Sequence, residues 1–229
     1  MTTPTPRPAG IHPIRAPRQA IRTPRAAAVA GIAFSVLLTT ALVLIRVVVP
    51  DDPTDAGEWL VDDTKRGAIV LALNLLPFAG IAFLWFIGVV RDRIGDGEDR
   101  FFATVFLGSG LLFIAMLFAT GAIASGLILA AGESDVGDVW PFGRRVSAML
   151  LNVYAMRMAA VFAISTTTIA TRLGLAPRWL TVLGYATAAV LMLSVGITPW
   201  VELVFPVWVF VFSIHILVVS FRTGYPAPE

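Results

Sequence analysis

From residue 26 onward the chain is a succession of long apolar runs broken by short polar connections. A hydrocarbon core about 30 Å thick takes about 20 consecutive apolar residues in an α-helix. The runs at about 26–49, 67–90, 102–131, 146–171, 179–198 and 202–221 reach that length. The pattern predicts an all-α, polytopic transmembrane bundle of six spans. The third run is longer than a bilayer requires, which predicts tilt or first turns standing in the cytoplasm. The last two runs are joined by Thr198-Pro199-Trp200-Val201, short enough to require an antiparallel hairpin.

Residues 1–25 lack apolar periodicity, and Pro4, Pro6, Pro8, Pro13, Pro17 and Pro24 forbid a continuous helix there. The expected organisation is therefore a disordered, basic, proline-rich tail (1–25), one six-helix membrane domain (26–221) and a short C-terminal tail (222–229). A cleaved signal peptide is not expected, because the apolar run after Arg25 is too long and its small residues Ala26 to Ala28 precede it.

Composition supports the membrane reading. Hydrophobic residues make up 57% of the chain and charged ones 14%, against about 25% charged in an ordinary soluble domain. The mean hydropathy of +0.83 leaves more apolar surface than a water-soluble fold can hide. The formal net charge of +2 does not point to nucleic acid, since basic residues here set membrane orientation. With the N-terminus inside, the cytoplasmic side receives Arg7, Arg15, Arg18, Arg22, Arg25, Arg91, Arg93, Arg100, Arg172, Arg178 and Arg222. The outer side receives Lys65, Arg66, Arg144 and Arg145. This bias predicts both termini in the cytoplasm. Trp59, Trp140 and Trp200 then fall near the outer interface, with Trp85 and Trp179 near the inner one, as amphipathic indoles prefer. The expected location is a bacterial cytoplasmic membrane, with the lipid bilayer as surroundings.

The tail is a candidate for contact with anionic lipid through Arg15, Arg18, Arg22 and Arg25, or serves only as an orientation signal. Small residues four apart (Gly121/Ser125, Ala122/Gly126, Ala155/Ala159/Ala163, Gly184/Ala188) predict close helix packing, with a homo-oligomer or membrane partner as the alternative.

Polar groups within the spans are the pointers to function, because a charge in hydrocarbon is costly. Arg157 lies near the middle of the fourth span, with Tyr154 as its one polar neighbour at helical spacing. It reads either as a cation in a hydrated cavity or as a structural arginine bonded to carbonyls. His215, in the sixth span, lies within an arginine's reach of Arg157 if the two helices touch. Asn74 and Asn152 fall at similar depth and suggest an interhelical amide pair. Glu202 opens the last helix, where an anion suits the dipole, and Arg144 or Arg145 is its expected partner.

Chemistry beyond this is thin. Zero cysteines remove disulfides, thiolate metal sites and a cysteine nucleophile. One intramembrane histidine excludes a bis-histidine haem. Ser109 sits in Gly108-Ser109-Gly110, but residue 107 is leucine, so the Gly-x-Ser-Gly pattern of intramembrane proteases fails. Asp51, Asp52 and Asp55, or Glu133, Asp135 and Asp138, lack the alternating spacing of a calcium loop. No catalytic residue, cofactor site or metal site is assigned, and an enzyme acting on lipid ranks third among the functional readings.

Two stretches, Arg91–Gly110 (RDRIGDGEDRFFATVFLGSG) and Pro199–Val209 (PWVELVFPVWV), resemble a group of small multi-pass membrane proteins of bacteria, the actinobacterial type above all. The resemblance covers a third to a half of the chain and implies a membrane protein without an assigned activity. Two functional expectations stand together: a structural or regulatory protein acting through lateral contacts, and a small carrier with a polar cavity around Arg157 and His215.

Overall fold

The computed structural model describes residues 23–50, 60, 62–94, 100–133, 139–193 and 200–222, and no strand occurs among them. The elements are α1 (Thr23–Val48), α2 (Asp63–Ile94), α3 (Arg100–Glu133), α4 (Val139–Met149), a π-helical turn (Leu150–Ala155), α5 (Met156–Arg172), α6 (Arg178–Leu193), a 3₁₀ turn (Val201–Leu203) and α7 (Val204–Arg222). The π turn joins α4 and α5 into one continuous fourth span, Val139–Arg172. Most of the tail (residues 1–22), the acidic residues 51–59 and the residues after 222 lie outside the described set.

Five helices are long and apolar enough to cross a membrane: Arg25–Val48, Asp63–Arg91, Phe101–Ala131, Val139–Arg172 and Val201–Phe221. The helices of this all-α bundle fit a membrane-embedded protein. In lipid such runs must be helical, because only a helix satisfies every backbone group within one segment. α6 is shorter, with 16 residues, or about 24 Å at 1.5 Å per residue. The rest of its expected span, 194–198, lies outside the described residues.

Local signals set the helix ends. Asp62 caps α2 by accepting from the backbone N–H groups of Thr64 at 2.9 Å and Lys65 at 3.3 Å. At the other end of the bundle, α5 stops at Gly174, whose φ of +68° suits a residue without a Cβ. The Leu175 N–H reaches the Ala170 carbonyl at 2.9 Å, and the Gly174 N–H reaches that of Thr171 at 3.1 Å. This is a Schellman termination. Pro177 follows two residues later, and α6 starts back antiparallel.

The helices close into a ring. α1 packs on α2, α2 on α3, α3 on the fourth span, α5 on α6, α6 on α7, and α7 returns to α1. Neighbours run antiparallel. Arg46 meets Glu202 at one end of the α1–α7 contact, while Arg25 lies 4.7 Å from the centre of the Phe221 ring at the other. Likewise Arg172 sits over Phe102 at 4.3 Å, whereas Leu127 abuts Gly143 at the opposite end of the same pair.

Phenylalanines from five spans fill the middle of the ring. Phe83 lies with its ring centre 4.5 Å from Phe34, 5.0 Å from Phe162, 5.3 Å from Phe113 and 5.8 Å from Phe205. All five rings are fully buried. The tilted and edge-on geometries are those that the aromatic quadrupole favours. Small residues set the close contacts around this plug. Ala155, Ala159 and Ala163 are buried, and a Cβ on Gly184 would collide with the Thr167 side chain. The packing reading of these small residues fits their positions here.

Hydroxyls on the helices mostly satisfy themselves. Ser35, Thr120, Ser165 and Thr166 each donate to the carbonyl four residues back, at 2.7–2.9 Å.

Candidate functional site

The structure separates the polar residues that the sequence suggested as one site. Arg157 stands two residues past the π turn, and its Nη1 donates to the Val153 carbonyl of its own helix at 3.3 Å. Among the described residues it makes no hydrogen bond to Tyr154 or His215. Tyr154 is 57% exposed and Ile164 is 38% exposed. Residues 154, 157, 161, 164 and 168 recur at three- and four-residue spacing, so Arg157 lies on a stripe along the outer side of the bundle. His215 packs its ring edge-on to Trp179, with centres 5.9 Å apart.

The expected Asn74–Asn152 pair does not form. Asn74 is exposed, and its carboxamide N–H donates to the Val70 carbonyl of its own helix at 2.8 Å. It belongs to the outward stripe of α2 that carries Leu71, Phe78 and Ile81. Similar depth did not imply a shared face. Asn152 lies instead in the π turn, with its Oδ1 buried and without a hydrogen-bond partner.

Glu202 is the second correction. Its partner is Arg46 near the end of α1, not Arg144 or Arg145. The Arg46 Nε donates to Glu202 Oε1 at 2.6 Å, and Nη2 reaches the same oxygen at 2.5 Å. The carboxylate side chain is only 4% exposed and the guanidinium side chain 21%. Arg144 reaches across to α1 in a different way, donating through Nη2 to the Pro50 carbonyl at 3.0 Å.

These residues edge a cavity of about 300 Å³ in the half of the bundle that carries Arg46. Its walls are apolar, with Leu42 and Ile45 of α1, Leu73 and Leu76 of α2, and Leu117 and Leu127 of α3. α4 and the π turn close the remaining side with Trp140, Ser147 and Asn152, while Arg46, Arg144, Arg145 and Glu202 supply the charge. Neither Arg157 nor His215 lines this cavity. Ser147 Oγ and Asn152 Oδ1 are both buried and unpartnered. That is uncommon, since buried polar atoms nearly always find a partner.

The π turn explains why the wall opens here. An i→i+5 turn widens the helix and displaces the residues before it, and such turns recur at functional positions. Above the turn, α4 packs chiefly on α3, whereas α5 below it also meets α6 and α7. The fourth span thus stands close in the aromatic half and apart in the Arg46 half. Arg145 and Ala148, both exposed, mark the rim.

Other candidate chemistry is absorbed by structure. Ser109 donates to the carbonyls of Val105 at 2.7 Å and Phe106 at 3.1 Å, so its hydroxyl is held by its own helix. Among the described residues no three His, Asp or Glu side chains gather at metal-binding range. The acidic residues Asp51, Asp52, Asp55, Asp135 and Asp138 lie outside the described set, as do Arg15, Arg18 and Arg22 of the tail.

Sequence reasoning missed Arg46, Ser147 and the cavity itself. Arg46 sits three residues before the end of an apolar run, where it reads as part of the span. The available signal was charge complementarity: Arg46 and Glu202 stand at matching ends of spans that an even number of crossings places side by side in depth. No family model, curated protein or solved structure matches the chain.

Proposed function

We propose that the protein is a multi-pass protein of the bacterial plasma membrane that works through lateral contact with a membrane partner. In this reading the chain crosses six times with both termini in the cytoplasm, α6 completing the fifth crossing with the residues after Leu193. The arginine bias and the tryptophan positions support that orientation. The resemblance of Arg91–Gly110 and Pro199–Val209 to small bacterial membrane proteins supports the location. Arg15, Arg18, Arg22 and Arg25 of the tail then contact anionic lipid at the inner surface.

The observation that carries the reading is Arg157. Its guanidinium has one hydrogen bond, to its own helix, on an outward stripe beside the exposed Tyr154. Arg157 is half-buried, and a mid-span arginine turned to hydrocarbon costs up to about 2.5–3.5 kcal/mol on the insertion scale. A neighbouring helix that offers a carboxylate or carbonyls removes that cost. The buried aromatic plug, which fills the ring at mid-depth, argues against conduction through the bundle axis.

The test is a photo-crosslinking amino acid at position 161 in growing cells. A discrete protein adduct is expected, and Arg157→Leu should weaken it while leaving the thermal midpoint of the isolated protein unchanged. Adducts to lipid alone, or a midpoint lowered by Arg157→Leu, would remove the basis for a partner.

A further inference from the structure

We infer that the cavity behind Arg145 takes one acyl chain of an anionic phospholipid, with the phosphodiester head held by that arginine. The inference rests on the bundle lying in a bilayer and not on the partner reading of Arg157, since the two surfaces share no residue. It is also separate from the basic tail, because Arg46, which lines the cavity, stands at the far end of α1 from Arg25.

The apolar walls fix the chain. A void lined by Leu42, Leu73, Leu76 and Leu117 leaves the atoms around it without dispersion partners. In a membrane-embedded bundle the material at hand to supply them is an acyl chain. A methylene fills roughly the space of one water, ~30 Å³, so about 300 Å³ takes a chain segment of about ten carbons. Arg145 and Ala148 of α4, exposed at the rim, put the opening beside the part of the fourth span that packs chiefly on α3.

The charge fixes the head. Arg46, Arg144 and Arg145 line the cavity against Glu202 alone, so its lining is net cationic among the described residues. Arg46 engages Glu202, and Arg144 donates to the Pro50 carbonyl. Arg145 differs from both. It is exposed at the rim, and among the described residues its guanidinium makes no ion pair or hydrogen bond. An arginine fork matches the oxygens of a phosphate or a carboxylate. A neutral head leaves that fork unfilled, and a zwitterionic head brings its own cation to a rim already rich in arginine. A fatty acid suits the walls equally, but its carboxyl group sheds charge by taking a proton as it leaves water. A phosphodiester keeps its charge at neutral pH.

The experiment uses the full chain in phosphatidylcholine vesicles, with a trace of phosphatidylglycerol carrying a diazirine at the end of one acyl chain. Label is expected on Leu73, Leu76 or Leu117, displaced by unlabelled phosphatidylglycerol. A phosphatidylcholine probe of the same chains should label these residues about tenfold less, and Arg145→Gln should lower the phosphatidylglycerol label about tenfold, the loss of one charge-assisted hydrogen bond. Arg145→Lys, which keeps the charge and loses the fork, should fall between Arg145→Gln and the unaltered chain. Leu117→Trp, which fills the cavity and leaves the rim intact, should abolish the inner label. Arg145 is exposed, so its variants keep the test intact if Leu117→Trp fails to fold. Label confined to outward-facing Phe78 and Leu111 would overturn the cavity. Equal inner label from the phosphatidylcholine probe, or unchanged label in Arg145→Gln, would overturn the anionic head. Equal or better competition by a fatty acid would overturn the phosphodiester, and displacement by glycerol phosphate alone would overturn the acyl chain.

Discussion

Arg46 and Glu202, 156 positions apart, share one carboxylate oxygen at the seam where the first and last helices meet. The acid is almost fully buried and the base mostly so, and the pair sits at the polar edge of the cavity. A buried ion pair is weak evidence of net stabilisation, because desolvation offsets the attraction. Removing Arg46 is another matter, since Glu202, 4% exposed, then loses the cation that holds its charge.

Arg46→Met should therefore cost about 3 kcal/mol or more, read as a lowered thermal midpoint in detergent. Glu202→Leu should cost less alone, because Arg46 is partly exposed and Glu202 is the more deeply buried of the two. The two together should recover most of the loss, as should exchange of the charges in Arg46→Glu with Glu202→Arg. If the double variant is no better than the sum of the singles, the pair has no energetic coupling.

Phe83→Ala should destabilise the bundle by about 2–3 kcal/mol. The figure sits below the 3–5 kcal/mol of soluble cores because an unfolded helix still lies in lipid, so only the packing and cavity contributions are lost. Phe83→Leu should cost less than half as much. Unfolding of both variants in a graded denaturing detergent checks the order, and equal losses would show that ring volume is not what matters at this position.

Gly184→Leu should separate α5 from α6, because any Cβ there meets Thr167. Limited proteolysis should then cut between Leu173 and Arg178, a turn that the native contact protects. Gly184→Ala with Thr167→Ala should recover much of the native resistance. Unchanged proteolysis in Gly184→Leu would mean that the two helices are not held by this contact.

The chain has no cysteine, so single-cysteine variants give a clean topology readout. A membrane-impermeant maleimide on intact cells should label residues 65 and 200 and leave residue 176 unlabelled until the cells are opened. Label at 176 from outside would reverse the proposed orientation. Failure at 200 with success at 65 would remove the last hairpin.

Much of the fold was legible because lipid leaves the backbone little choice. Runs predicted at 26–49 and 102–131 appear as Thr23–Val48 and Arg100–Glu133, extended where the helix continues past the apolar stretch. Position along a helix, and therefore depth, followed from counting residues. Direction around the helix axis did not. Asn74 and Asn152 matched in depth, yet one faces outward and the other lines a cavity. The same gap separates Arg157 from His215. In a membrane both faces of a helix are apolar, so the sequence carries only a faint mark of which face turns inward. The π turn at Leu150–Ala155 leaves no signature in residue type, and it is this turn that shapes the cavity.

Ring closure between α1 and α7 also imposes an order on biosynthesis. Of the packed helices, α1 is made well before α7, its mate. Arg46 enters the bilayer without its carboxylate and stays so until Glu202 emerges from the ribosome. An insertion intermediate that precedes α7 therefore carries an open seam along α1, and a chain stalled at that stage exposes the seam to the quality-control machinery of the membrane.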